Sequence, residues 1–241
     1  KIRGKNMKII SNNSPNFSKK ARSKKDIKFV IIHYTGMQSE IESIKRLKKP
    51  RYKVSCHYLI NRSGKIIQMV KDRNIAWHAG KSRWKKFINL NESSLGIELV
   101  NKGHQFGYQN FSKKQIDSLI KLCKYLKKKY SIKRENFLGH SDISPIRKID
   151  PGEKFPWKKL STYKIGKWYQ ERPIGLLLNK QQSETLFFKN LYKLGYRYFT
   201  FHKRSLKDKR IIKAFQQHYY PKNVTGILDR KTLNISHFLT P

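Results

Sequence analysis

Apolar positions along the chain fall into short runs and helical stripes, separated by turn residues. Ile27–Ile32 (IKFVII) has the length and composition of a buried strand, and it delivers His33 just before the turn-forming YTGM. Ser39 and Glu42 form a capping box; Ile41, Ile44 and Leu47 follow at helical spacing, and Pro50 ends that helix. Val54–Ile60 and Lys65–Val70 flank Asn61-Arg62-Ser63-Gly64, which predicts a β-hairpin. Leu95–Val100 predicts another strand, with Ile97 and Leu99 on one face and Glu98 on the other. Ser112 and Gln115 cap a long amphipathic helix with the stripe Ile116, Leu119, Ile120, Cys123 and Leu126. Asn136–Gly139 then leads into His140. Strands alternating with helices argue for an α/β fold, a sheet with helices packed on it.

The two ends differ from this middle. Residues 1–26 are basic and rich in Ser and Asn, without periodic pattern, and read as a loose arm. Pro156–Arg172 descends into a linker, and Pro173 and Gly175 mark a break. Beyond it, Gln181–Leu194 and Leu206–Tyr219 are helical patterns, and Gly226 sits in a turn. The expected organisation is an arm over 1–26, a catalytic domain over 27–172, and a linker with a small all-α domain over 173–241. That last region holds no His or acidic cluster that could form a site.

Composition narrows the classes. Apolar residues make up 37% of the 241, enough for a real core. No run approaches the roughly 18–20 apolar residues of a bilayer span. The formal net charge of +40 favours polyanionic partners, either nucleic acid or anionic cell-envelope polymers. The basic residues are dispersed, as compositional drift would also leave them, and neither a helix-turn-helix nor an aromatic-basic sheet is present, so specific nucleic-acid binding is not expected. Cys56 and Cys123 make no CxxC and read as core thiols, one in a strand and one on a helix, with a bridge between them left open. Cys56 and His57 are neighbours on a strand and face opposite ways, so they would not readily share an ion. The chain begins at Lys1, so a signal or lipid-attachment segment is expected, if anywhere, upstream.

Five residues carry the candidate chemistry: His33, Glu98, His140, Lys148 and Asp150. Two imidazoles and a carboxylate suit zinc and leave a fourth position open to water, the pattern of a hydrolase site. Glu98 is an acid inside an apolar strand, costly to bury without a role, and is the candidate general base. Lys148 lies two residues before Asp150, so in extended chain both face the same way, where a cation would stabilise an oxyanion. In a chain this rich in lysine, spacing alone does not separate that role from a solvated side chain.

The segments around these residues resemble the zinc-dependent N-acetylmuramoyl-L-alanine amidases of the amidase-2 family. They are FVIIHYTG (29–36), VSCHYLINRSGKIIQMV (54–70), AWHAGKSRW (76–84), LNESSLGIELVNKG (90–103), LGHSDISPIRKIDPG (138–152) and FPW (155–157), all in family order. The resemblance implies a mixed central β-sheet flanked by helices, shared with peptidoglycan recognition proteins. It implies one Zn2+ per chain on His33, His140 and Asp150, Glu98 as base and Lys148 as oxyanion stabiliser. The implied reaction cleaves the amide between N-acetylmuramic acid, in its ordinary or 1,6-anhydro form, and L-alanine. It also places Tyr34, His57, Trp77, His78, Ala79, Trp84 and Asn91 on the substrate side. For His57 a supporting role and for Trp77 core packing are the alternatives, and Asn91 resembles a residue that shapes the loop before the catalytic strand. Relatives often carry Arg where Asn89 stands, and Asn cannot grip a carboxylate bidentately.

Ile212–Tyr219 (IKAFQQHY), with Thr225-Gly226-Ile227-Leu228-Asp229 and Thr232-Leu233, resembles the three-helix peptidoglycan-binding domain. Together these expectations describe a cell-wall amidase acting on peptidoglycan or muropeptides, with no oligomer implied. Its expected place is the bacterial envelope, periplasmic or outer-membrane-associated, ahead of cytoplasmic recycling. The alternative is a non-catalytic peptidoglycan-binding protein of the same fold.

Overall fold

The computed structural model describes residues 7–20, 22–173, 175 and 177–240. In chain order its strands are β1 (Ile9–Ser11), β2 (Phe17–Ser18), β3 (Phe29–Tyr34), β4 (Tyr58–Ile60), β5 (Ile66–Gln68), β6 (Ile75–Ala76), β7 (Arg83–Trp84), β8 (Phe87–Ile88), β9 (Ser94–Leu99) and β10 (Phe137–Gly139). The helices are α1 (Glu40–Lys48), α2 (Lys113–Tyr130), α3 (His140–Ile143), α4 (Trp157–Thr162), α5 (Lys180–Leu194), α6 (Leu206–Tyr219) and α7 (Arg230–Leu239). No helix among the described residues is long and apolar enough to cross a membrane.

The main sheet is mixed and runs β1-β5-β4-β9-β3-β10, with only the β4–β5 pair antiparallel. β3 has a strand on each side and a core on each face, which is why Phe29–Ile32 is apolar at every position. Val30 and Ile32 pack with Ile116, Leu119 and Leu126 of α2. Phe29 and Ile31 point the other way, into a core with Phe187 and Leu191 of α5, Phe215 of α6 and Leu233 of α7. The C-terminal helices therefore close the second face of the sheet and share its core. The helix stripes fix this: Phe215 is fully buried, and Gln216 beside it accepts from Gly226 N–H and donates to the Ile227 carbonyl, pinning the turn before α7.

Three expectations are corrected. The arm over 1–26 is not loose where it is described; residues 1–6 and 21 lie outside the described residues. Ile9–Ser11 adds a parallel edge strand to β5, and Phe17–Ser18 pairs with β6. Two of its polar residues are buried there: Ser14 bonds the Leu47 carbonyl, and Asn16 bonds those of Lys49 and Val54. The stretch after Pro156 is not linker at its start, because α4 sinks Trp157 and Leu160 into the α2 core and Ile165 follows them. Cys56 lies ahead of β4 rather than in a strand, and both thiols are buried and free.

Candidate active site

β3, β9 and β10 are parallel, so their C-terminal ends meet at one edge of the sheet, where open α/β sheets place ligands. His33 stands at the end of β3, Glu98 is its register partner on β9, and His140 follows β10 directly. Asp150 is returned to this edge by a loop whose carbonyl accepts from Ser141 N–H at 2.8 Å. These four and Lys148 line a cleft of about 300 Å³, walled by Tyr34, Trp77 and His78 with Arg46 and Arg147.

His33 Nδ1, His140 Nδ1 and Asp150 Oδ2 lie 3.0–3.1 Å from one another. The outer bonds of each ring decide whether protons hold them together. His140 Nε2 faces the Ala79 carbonyl at 3.0 Å, which only accepts, so in the neutral ring the proton is on Nε2 and Nδ1 is bare. Ser94 Oγ donates to the Leu90 carbonyl and so accepts from His78 Nε2, at 3.2 Å. His78 Nδ1 is then bare and accepts from His33 Nε2 at 3.0 Å, which leaves His33 Nδ1 bare too. Burial and the neighbouring His140 push His33 down to about 4, and burial with His33 pushes His78 well down, so both rings are neutral at pH 7. Two imidazole lone pairs and a carboxylate oxygen thus converge with no proton between them. A cation that takes nitrogen and oxygen ligands would resolve that repulsion, and the donor set fits zinc.

Glu98 is the acid beside this group. Its Oε2 is shielded from solvent and has no hydrogen-bond partner, and burial with the adjacent Asp150 pushes its carboxyl up to about 8, against the pull of Lys148. A carboxyl so poised exchanges protons near neutral pH.

The N-acetylmuramoyl-L-alanine amidase family matches residues 23–153. The chain belongs to that family. It is 35% identical to the N-acetylmuramoyl-L-alanine amidase AmiD of Escherichia coli over 229 residues, 88% of this chain and 82% of AmiD. The solved complex of that AmiD with anhydro-N-acetylmuramic acid-L-Ala-D-gamma-Glu-L-Lys is similar with a TM-score of 0.78 at 32% identity, covering 92% of this chain and 91% of the other. AmpDh3 from Pseudomonas aeruginosa, in complex with anhydromuramic pentapeptide, gives 0.77 at 28%, covering 95% and 96%.

Within this amidase the expected substrate-side residues separate into two groups. Tyr34, Trp77 and His78 line the cleft. Ala79 is buried and meets the site through its carbonyl, which holds both His140 and Arg147. Asn91 Oδ1 accepts from His78 N–H and Ala79 N–H at 3.0 and 2.7 Å and so fixes that cleft segment from behind. His57 and Trp84 do not line the cleft, and His57 takes the supporting role that was its alternative. His57 is fully buried beside Gly96, whose N–H it accepts at Nδ1, while its Nε2 lies 2.8 Å from Arg22 Nη2 and 3.1 Å from the Asn74 carbonyl. Trp84 packs on Tyr196 at 4.9 Å, and Gly195 admits it: a Cβ there would stand 2.3 Å from the indole. Asn89 is exposed, with a left-handed backbone, away from the cleft. Arg46 and Arg147 also line the cleft, and Ser94 supports it through His78, with no mark in the sequence. In a chain with 55 basic residues no pattern marks the two arginines, and Ser94 acts only through a ring 16 residues away.

Proposed function

We propose that this amidase holds one zinc ion on His33, His140 and Asp150 and hydrolyses the amide between the lactyl group of N-acetylmuramic acid and L-alanine. The convergence of three proton-free donor atoms at the strand edge, with Glu98 beside them, carries the reading. Bound zinc would polarise the amide carbonyl and bring the pKa of a water toward roughly 7. Glu98, the one acid in the cleft outside the donor set, takes the proton of the attacking water and returns it to the departing L-alanine nitrogen. Lys148 opens on the same cleft, and its ammonium balances the charge that develops on the carbonyl oxygen. Trp77 and Tyr34 offer ring faces to sugar or peptide.

The relatives bound to anhydromuramyl peptides favour a substrate with the 1,6-anhydro end. The match to AmiD covers 88% of this chain and so reaches into the helical region; we read residues 173–241 as a peptidoglycan-binding unit and the envelope as the working place. A non-catalytic binder would have no use for an unpartnered carboxyl at the donor set. Digests of intact sacculi and of purified anhydro-muropeptides by the zinc-loaded chain, read by mass spectrometry, test the proposal. Stem peptides with a free L-alanine amine are expected from both; intact muropeptides after exhaustive digestion would refute it.

A further inference from the structure

Where α3, which begins at His140, meets the C-terminal helices lies a buried carboxylate. Asp142 follows His140 by two residues and is 1% exposed. Its Oδ2 accepts from Gly139 N–H and from His218 Nδ1, each at 2.7 Å, and its Oδ1 accepts from the Tyr196 hydroxyl at 2.5 Å. Gly139 immediately precedes His140, so the first of these bonds fixes the turn on which the ligand stands. The other two donors come from the helical region: Tyr196 follows α5, and His218 is on α6.

The donors are themselves held. The His218 ring lies between Trp157 and Tyr219, with centroids 4.0 Å away on each side and planes tilted by 11° and 14°. Its Nε2 is buried without a partner. A proton there would be an orphan donor, so the ring carries its proton on Nδ1, aimed at Asp142. Burial raises the Tyr196 phenol well above its ordinary range, so it stays a donor. α3 has only four residues, and three of them serve the centre: His140 is a ligand, Ser141 N–H holds the Asp150 carbonyl, and Asp142 is gripped from below.

We infer that Asp142, His218 and Tyr196 form a clasp through which the C-terminal helices position two of the three metal ligands, His140 and Asp150. The inference rests on the zinc reading above. It gives the helical region a part in metal retention that is separate from any contact with the wall. His218 and Tyr196 are positioning residues, since neither lines the cleft.

The test uses the full chain with His218→Phe, Tyr196→Phe and the double variant, beside His218→Asn. Phe keeps a flat ring in the stack but has no N–H; the Asn amide returns a donor near the place of Nδ1. Zinc affinity is measured by competition with a chromogenic chelator, and kcat and KM on an anhydro-muropeptide, with thermal melting as the control for folding. The double variant is expected to bind zinc about 10- to 100-fold more weakly, the usual effect of losing a ligand's supporting bonds. Its kcat should fall with KM little changed, and His218→Asn should recover most of both. A folded double variant with wild-type zinc affinity and kcat, even with a lowered melting temperature, would show a purely structural contact and overturn the clasp. If the double variant does not fold, Tyr196→Phe, which removes one oxygen, decides by the same two readouts. A wild-type chain that holds zinc no better than His140→Ala would overturn the zinc reading and the clasp with it.

Discussion

His33 Nε2 lies 3.0 Å from His78 Nδ1, and the proton between them belongs to His33 because Ser94 fixes the far side of the His78 ring. A serine hydroxyl that is committed to a backbone carbonyl thereby sets which nitrogen of His33 is free to bind metal. Outer bonds of this kind commonly change metal affinity by about 10- to 100-fold. His78→Phe is expected to weaken zinc binding in that range while leaving the fold intact. Gly96→Ala should do the same from beneath, because a Cβ at Gly96 would lie 2.4 Å from His78 Cγ. Chelator competition on both variants checks this, and unchanged affinity in His78→Phe would remove the relay from the account.

Glu98 is expected to separate chemistry from metal binding. Glu98→Gln keeps the shape of the cleft but cannot take a proton, so kcat should fall by about 10²- to 10⁴-fold. Zinc content, read by emission spectroscopy, should stay at the wild-type level. His140→Ala should lose both. Near-normal turnover by Glu98→Gln would move the base elsewhere.

Lys148→Met tests the oxyanion role. It retains most of the length of the side chain without the charge. A loss of about 10²- to 10³-fold in kcat is expected, with KM and zinc content little altered. A rise in KM alone would instead make Lys148 a ground-state contact with the substrate.

The buried His57 makes acid sensitivity predictable in sign. Burial, and next the charge of Arg22, holds its ring down at about 3. An unfolded imidazole titrates near 6.5, so between these values the unfolded chain takes up a proton that the folded chain does not. The contribution of neutral His57 is complete above pH 6.5 and is lost as pH falls toward 3. One such proton is worth about 1.4 kcal/mol per pH unit well below 6.5. Urea unfolding of the metal-free chain between pH 7 and 5 should therefore be less pH-dependent in His57→Gln. An equal slope in both proteins would show that His57 titrates as if exposed.

Much of this was legible because strong periodicity and strong motifs coincide. The apolar run ending on His33, the alternation that turns Glu98 away from Ile97 and Leu99, and the capped stripe of α2 each depend on local pattern alone. Where long-range packing decides, the pattern misleads. Ile41 continues the apolar spacing of α1 yet is 78% exposed, while Ser43 is buried in that helix. β1 is only three residues long and hides in a basic stretch, so nothing local reveals that it extends the sheet. Trp84 sits in a segment resembling the family's cleft wall, but the helical region draws it into a shared core. The Asp142–His218 bond joins residues 76 apart, beyond the reach of any periodicity.

The central claim is that this chain is a zinc amidase built on His33, His140 and Asp150. Titrating the metal-depleted full chain with zinc, while following release of L-alanyl peptide from an anhydro-muropeptide, tests it most directly. Activity is expected to rise from none and break at one zinc per chain, with no response in His140→Ala. A metal-depleted chain that releases the peptide at full rate, or an His140→Ala variant that responds to zinc as the wild type does, would contradict it.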